Sequence, residues 1–79
     1  MTDLERLDKL VDEFSHAMRD KLYLKKAHGF HGWDEKVMRG VLTRKLNEHV
    51  ERARKDPKQW IDVANFAAFL WWSGVPRDK

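Results

Sequence analysis

The sequence contains no cysteine, only two prolines and no long apolar run. Without cysteine, the chain can form neither a disulfide framework nor a cysteine-ligated zinc site. Its longest apolar run, residues 66–72, is far shorter than the ~20 residues that a membrane-spanning helix needs. Residues 1–5 also lack the basic and apolar regions of a signal peptide, so we expect a cytoplasmic protein that does not enter the membrane.

The motifs of nucleophilic and P-loop chemistry are missing as well. The serines are Ser15 and Ser73; neither stands in a G-x-S-x-G elbow, and no P-loop motif occurs. The four histidines lack a spacing such as H-E-x-x-H, so a histidine metal site is not expected. Direct DNA binding is not expected either, because the most basic segment is not a compact recognition helix behind a tight turn.

The 79 residues correspond to a single domain with a small core. A domain of this size buries only about 60–65% of the surface that its unfolded chain exposes. Hydrophobic residues, at 42%, are too numerous for a disordered chain, and four Trp and four Phe are available for dense packing. Aromatic packing or self-association must therefore supply the stability that a larger core would provide.

The first third of the chain has apolar residues at helical spacing. Thr2 and Glu5 stand at capping-box spacing, which places a helix start at residue 3, and Gly29 can end that helix in a left-handed conformation. We predict a helix over residues 3–27. Its apolar stripe consists of Leu4, Leu7, Leu10, Val11, Phe14, Ala17 and Met18.

Two further helices are predicted, over residues 35–54 and 57–73. Asp34 can cap the first of them, and Asp56 followed by Pro57 can open the second. The chain is therefore predicted to be all-α. It has two long amphipathic helices and an apolar third, which we expect to complete a helical bundle by self-association.

The third helix is apolar nearly all round, the pattern of a central or oligomer-buried helix. It should end at Gly74 and Pro76, with residues 77–79 frayed. Trp71 and Trp72 point in different directions around this helix. At least one of them should therefore face another helix or a second subunit.

Basic residues are concentrated in the middle of the chain. Residues 1–20 hold three basic and six acidic side chains, residues 21–55 hold ten and four, and residues 56–79 hold three of each. The middle segment therefore carries a net charge of +6. It can attract phosphate on a nucleotide or nucleic acid, or the acidic surface of a partner. The alternative is an ordinary solvated helix face.

Two polar residues interrupt the apolar third helix. Asp62 and Asn65 are three positions apart and share a helix face. If buried, each needs a partner, because an unpaired buried polar group is costly. Glu48 and Glu51 on the second helix are also three apart and would lie opposite this pair in an antiparallel hairpin.

Two interpretations of these residues stay open. Glu48, Glu51 and Asp62 can gather Mg²⁺, which carboxylate oxygens and water bind together with substrate phosphates. Alternatively, Asp62 pairs with an arginine or lysine, Asn65 hydrogen-bonds across helices, and both glutamates face solvent. Trp33, beside the glycines of the first joint, also has two interpretations: a stacking platform for a nucleobase or a plug of the core.

Several of these features together resemble one protein family. The features are a lysine-bearing helix end, the Gly29-x-x-Gly32-Trp33 joint, the stretch from Leu46 to Glu51, and Asp62-Val63-Ala64-Asn65-Phe66-Ala67-Ala68-Phe69-Leu70-Trp71. Over residues 25–72 they are similar to the short phage-type relatives of the MazG-like all-α nucleoside triphosphate pyrophosphohydrolases. The resemblance implies Mg²⁺-assisted attack of water on a phosphoanhydride, in the cytoplasm of a phage-infected cell.

The carboxylate set of that family is only partly present. Glu48 matches the first glutamate of its E-E-x-x-E cluster, whereas His49 and Arg52 replace the other two. On the next helix, Gln59 replaces the glutamate of an E-x-x-D pair and Asp62 retains its aspartate. The resemblance therefore implies nucleotide binding with weak or absent hydrolysis.

The predicted function is the binding of a nucleotide or a related phosphorylated molecule by a homo-oligomer. The resemblance implies Glu48 and Asp62 as catalytic residues, and Glu48, Glu51 and Asp62 as ligands of Mg²⁺. The predicted substrate-binding residues are Lys25, Lys26, Trp33, Arg44, Lys45, His49, Arg52 and Asn65. The alternative is a non-catalytic interaction protein that binds a host or phage protein through its Trp-rich helix and basic middle segment.

Overall fold

The computed structural model describes residues 1–75, which are all-helical, as predicted. Three α-helices occur in the order α1 (Asp3–Ala27), α2 (Arg39–Ala53) and α3 (Trp60–Gly74). Short 3-10 helices, Lys36–Met38 and Pro57–Gln59, precede α2 and α3. None of the helices in this part of the chain has the length and apolarity needed to cross a bilayer. The predictions for Pro76 and residues 77–79 lie outside the described residues.

The first helix has the predicted bounds, and its start is capped as expected. The Thr2 hydroxyl accepts a hydrogen bond from the Glu5 backbone N–H at 3.1 Å, and the Glu5 carboxylate accepts one from the Thr2 N–H at 3.2 Å. The Thr2 backbone N–H, and then its hydroxyl, lower the pKa of Glu5. At the other end, Gly29 takes the predicted left-handed conformation with φ 88°.

The starts of the second and third helices differ from the predictions. Asp34 does not cap α2; the Glu35 N–H donates to the Gly32 carbonyl at 3.2 Å, which places Asp34 inside a turn. A 3-10 turn without a side-chain cap follows, so regular helix begins at Arg39 rather than at residue 35. Asp56 does act as a cap and accepts from the Lys58 N–H at 3.2 Å, but the turn it opens is also 3-10.

The core lies between α3 and its two neighbours. Leu42 of α2 and Phe66 and Phe69 of α3 form its buried centre, and α3 packs most extensively against α2 and less so against α1. The partly buried hydrophobic residues around this centre are Leu22, Phe30, Trp33, Met38, Leu46 and Leu70. The apolar third helix is therefore the central one, as its sequence pattern indicates.

Arg39 joins the start of α2 to the end of α3. Its guanidinium donates to the Leu70 carbonyl at 3.2 Å and to the Ser73 hydroxyl at 2.6 Å. A cation close to the C-terminal end of a helix suits the helix dipole. Arg39 thus links the start of α2 to the last turns of α3, a role that the sequence pattern did not indicate.

The first helix is poorly covered. No residue of α1 is buried, and most of the apolar residues in its N-terminal half are at least half exposed. The Cα radius of gyration is 14.2 Å, whereas a compact domain of this length has one of about 12 Å. The N-terminal half of α1 therefore projects from the core with its apolar stripe uncovered.

Candidate functional site

The polar pair on α3 faces α1. Asp62 and Asn65 are 5% and 1% exposed. The Lys21 ammonium lies 3.7 Å from the Asp62 carboxylate, and the Asn65 amide N–H donates to the Met18 carbonyl at 3.3 Å. Partners were expected on α2 and come from α1 instead. The reason is that α1 crosses α3 at this point, where the long stem of a half-buried lysine can bring its charge to the carboxylate.

The two glutamates of α2 face outward. The side chains of Glu48 and Glu51 are 46% and 71% exposed, and each pairs with a basic residue close by in sequence: Arg44 at 3.8 Å and Arg54 at 3.5 Å. Such exposed pairs contribute about 0–1 kcal/mol. No three His, Asp or Glu side chains of residues 1–75 gather as a metal site. A single chain therefore does not assemble the predicted set of Glu48, Glu51 and Asp62; a site shared between subunits stays a prediction.

Two of the predicted substrate-binding residues meet on the ring of Phe66. The Lys25 ammonium lies 5.2 Å from the centroid of this ring and 5.4 Å from that of Phe30. The His49 ring centroid is 5.0 Å from that of Phe66, and His49 Nδ1 lies 2.8 Å from the Lys45 carbonyl oxygen. Lys25 and His49 are thus positioned by the aromatic core, one from each neighbouring helix.

A groove with aromatic walls opens between the end of α1, the first joint and α3. We call it the aromatic groove; its volume is about 370 Å³. Trp33 stacks on Phe69 at 5.2 Å and meets Trp72 edge-on at 6.1 Å, so Trp33 both packs on the core and forms a wall. The residues that line the groove are Leu22, Tyr23, Lys26, Phe30, Trp33, Ala68, Phe69, Trp71 and Trp72.

A second depression, of about 410 Å³, lies beside the groove. We call it the basic depression, because Lys21, Lys25 and His28 line it together with Leu24, Gly29 and Phe30. Phe30 lines both depressions and is their shared wall. Of the predicted substrate-binding residues, Lys26 and Trp33 line the groove and Lys25 lines the basic depression. Arg44, Lys45 and Arg52 are exposed on α2 and line neither.

Lys21, His28, Tyr23 and Trp72 are site residues that were not predicted. Lys21 and His28 do have a sequence signal: together with Lys25 they are spaced four and three apart, which places them on one side of α1 and its C-cap. No comparable signal exists for Tyr23 and Trp72. They meet only because α1 and α3 pack together.

Comparison with known proteins finds no matching family model, no matching curated protein and no matching solved structure. The resemblance to the MazG-like proteins therefore rests on the residues quoted above, and the roles that it implies are proposals.

Asn65 offers a test of whether this polar position serves the fold. Its Oδ1 is buried and accepts no hydrogen bond from the described residues, and an unsatisfied buried acceptor costs about 1–3 kcal/mol. Asn65→Leu keeps the branched shape of the side chain but removes this oxygen together with the amide hydrogen bond to the Met18 carbonyl. The two effects oppose each other, so the free energy of unfolding should rise by no more than about 1 kcal/mol in urea denaturation. Asn65→Ala, which leaves a cavity, should lower it. A loss in Asn65→Leu as large as that in Asn65→Ala would show that the hydrogen bonds of the amide group outweigh the cost of burying it.

Proposed function

We propose that this chain binds a nucleotide or a related phosphorylated molecule, as a distant, carboxylate-poor relative of the MazG-like phage proteins acting in the host cytoplasm. One observation carries the proposal: the aromatic groove and the lysine-lined basic depression share the wall formed by Phe30. A nucleotide has the same two parts, a flat apolar base and a charged phosphate. The two parts of the site are therefore adjacent, as this ligand requires.

Each depression suits one part of the ligand. Stacking of a base on aromatic side chains contributes about 1–3 kcal/mol and tolerates any base. Trp33 and Trp72 supply such rings in the groove. Lysine ammonium groups bind phosphate as point charges, and Lys21, Lys25 and Lys26 line the two depressions. The groove volume falls within the range of about 300–1,000 Å³ that small-molecule sites occupy.

The proposal includes weak or absent pyrophosphohydrolase activity. Asp62 is paired with Lys21 and packed against α1, while Glu48 and Glu51 face outward. Efficient Mg²⁺-dependent hydrolysis needs carboxylates that converge on the metal and the phosphates together. In this proposal the carboxylates converge only if an oligomer pools them from different subunits. Mg²⁺ therefore binds mainly to the phosphates of the nucleotide.

A thermal-shift panel tests the proposal. Nucleotides should raise the melting temperature, with the rise increasing from nucleoside to mono- and triphosphate, because a ligand at 100 times its Kd stabilises the fold by about 2.7 kcal/mol. Lys26→Glu should weaken triphosphate binding roughly tenfold or more, since a reversed charge beside a phosphate costs about 2 kcal/mol in a solvated site. Fluorescence of the groove tryptophans reports the titration.

Lys55→Glu is the matched control, because Lys55 is an exposed lysine that lines neither depression. It should bind the triphosphate within about twofold of the wild type. Equal weakening in both variants would mean that only the net charge matters. A flat response of the wild type to the whole panel would contradict the proposal.

The second candidate is a non-catalytic interaction protein, and a separate observation favours it. Trp71 and Trp72 at the end of α3 are 62% and 44% exposed, and large aromatic residues are enriched in protein interfaces. A flat nucleotide panel, together with binding of a purified partner that Trp71→Ser abolishes, would support this function over the first.

A further inference from the structure

The N-terminal half of α1 carries an apolar stripe that the rest of the chain leaves open. Leu4, Leu7, Leu10 and Val11 are each 50–69% exposed. Leu7 lies three positions after Leu4, and Leu10 and Val11 lie three and four positions after Leu7, so the four form one continuous surface on the helix. The same stripe continues into Met18, at the point where α1 meets α3. Residues 1–13 are all exposed, whereas Phe14, Ser15 and Ala17 are partly buried.

An uncovered helix of this length requires a source of stability. Isolated helices shorter than about 12–15 residues are marginal in water, and most helical stability in proteins comes from packing of the apolar face. Residues 3–13 form such a segment, since all of them are exposed and Phe14 is the first partly buried residue of the helix. A stripe of exposed leucines in a chain of 79 residues therefore indicates that another helix covers it.

The charges of α1 indicate what covers it. Residues 3–13 hold five acidic and two basic side chains, for a net charge of −3. Residues 14–27 hold four basic and one acidic side chain, for a net charge of +3. Lys21 is already paired with Asp62 of the same chain, which leaves a charge of +2 (3 − 1) for a partner. Two copies of α1 in antiparallel orientation place each acidic half beside the basic half of the other. A parallel pair would instead place like charges together.

We propose that a second copy of this chain packs on α1, with the two α1 helices antiparallel about a twofold axis near their midpoint. The arrangement buries both apolar stripes, pairs halves of opposite charge and opposes the two helix dipoles. It specifies the surface and orientation of the self-association that the sequence predicts, and it does not depend on nucleotide binding.

Sedimentation equilibrium without ligand tests the association. The wild type should have twice the mass of the chain at micromolar concentration, and Leu7→Asp/Val11→Asp should shift to the monomer mass. Val37→Asp is the control, because Val37 is an apolar side chain that is 82% exposed and lies off α1; it should keep the wild-type mass. A wild type that is monomeric throughout would overturn the proposal.

Cross-linking tests the orientation and does not rely on the aspartate variants folding. The chain has no cysteine, so single cysteines can be placed freely. In an antiparallel pair centred on residue 15, Ala17→Cys lies about 6 Å along the axis from its partner position, whereas the Leu4→Cys positions are about 33 Å apart. Ala17→Cys should form disulfide-linked dimers on oxidation and Leu4→Cys should not. Cross-linking of Leu4→Cys as strong as that of Ala17→Cys would overturn the antiparallel arrangement.

Nucleotide titration of Leu7→Asp/Val11→Asp separates this proposal from the proposed function. The variant should be monomeric and still bind the triphosphate, because neither residue lines the groove or the basic depression. A failure of the proposed self-association can therefore be distinguished from a failure of the proposed nucleotide binding.

Discussion

Phe66→Ala should destabilise the fold more than any other change considered for this chain, by about 3–5 kcal/mol. Phe66 is 2% exposed, meets Phe69 edge-on at 6.0 Å, and contacts Lys25 of α1 and His49 of α2. Its ring is thus a point where all three helices meet. Removing it leaves a cavity that a core this small has few side chains to fill.

The measurement is thermal unfolding followed by circular dichroism at a fixed protein concentration. The melting temperature should fall by at least about 12 °C, since each kcal/mol corresponds to roughly 4–8 °C in a domain of this size. Val37→Ala removes methyl groups from an 82% exposed side chain and should change the melting temperature by little. Similar, small effects of the two substitutions would contradict the assignment of Phe66 to the centre of the core.

The helices were predictable because their signals are local. The capping box of Thr2 and Glu5 and the left-handed Gly29 lie within a few residues of the helix ends that they define, and α1 has the predicted bounds. The entry to α2 was not predictable from Asp34 alone. A turn through Gly32 competes with the helix for the same residues, and only the folded joint shows which one forms.

The candidate site was only partly predictable, because its residues come together through packing between helices. The unusual positions Asp62 and Asn65 were identified from polarity on an apolar helix, and both are buried. The helix that supplies their partners is determined by where α1 crosses α3. These partners are some 40 residues away along the chain, and no local pattern encodes a contact between residues so far apart. The aromatic groove, which Tyr23 and Trp72 help to line, likewise forms only because α1 and α3 pack together.

The second large effect on stability is expected from breaking the ion pair between Lys21 and Asp62. Lys21→Met should lower the free energy of unfolding by about 1–2 kcal/mol; removing one partner of a buried pair costs about 3–5 kcal/mol, and the half-exposed lysine reduces this value. Adding Asp62→Asn to Lys21→Met should restore most of the loss, because the double variant no longer buries an unpaired charge. Urea denaturation of the two single variants and the double variant gives the coupling energy directly.

Lys9→Met is the matched control, since Lys9 pairs with Glu13 at 3.8 Å with both side chains more than 60% exposed. It should cost about 0.5 kcal/mol or less. The same set of variants also distinguishes the two interpretations of Asp62. If the carboxylate serves the fold, Mg²⁺ should leave the stability of the wild type and of Asp62→Asn unchanged. Stabilisation of the wild type by Mg²⁺ that Asp62→Asn abolishes would instead identify Asp62 as a metal ligand.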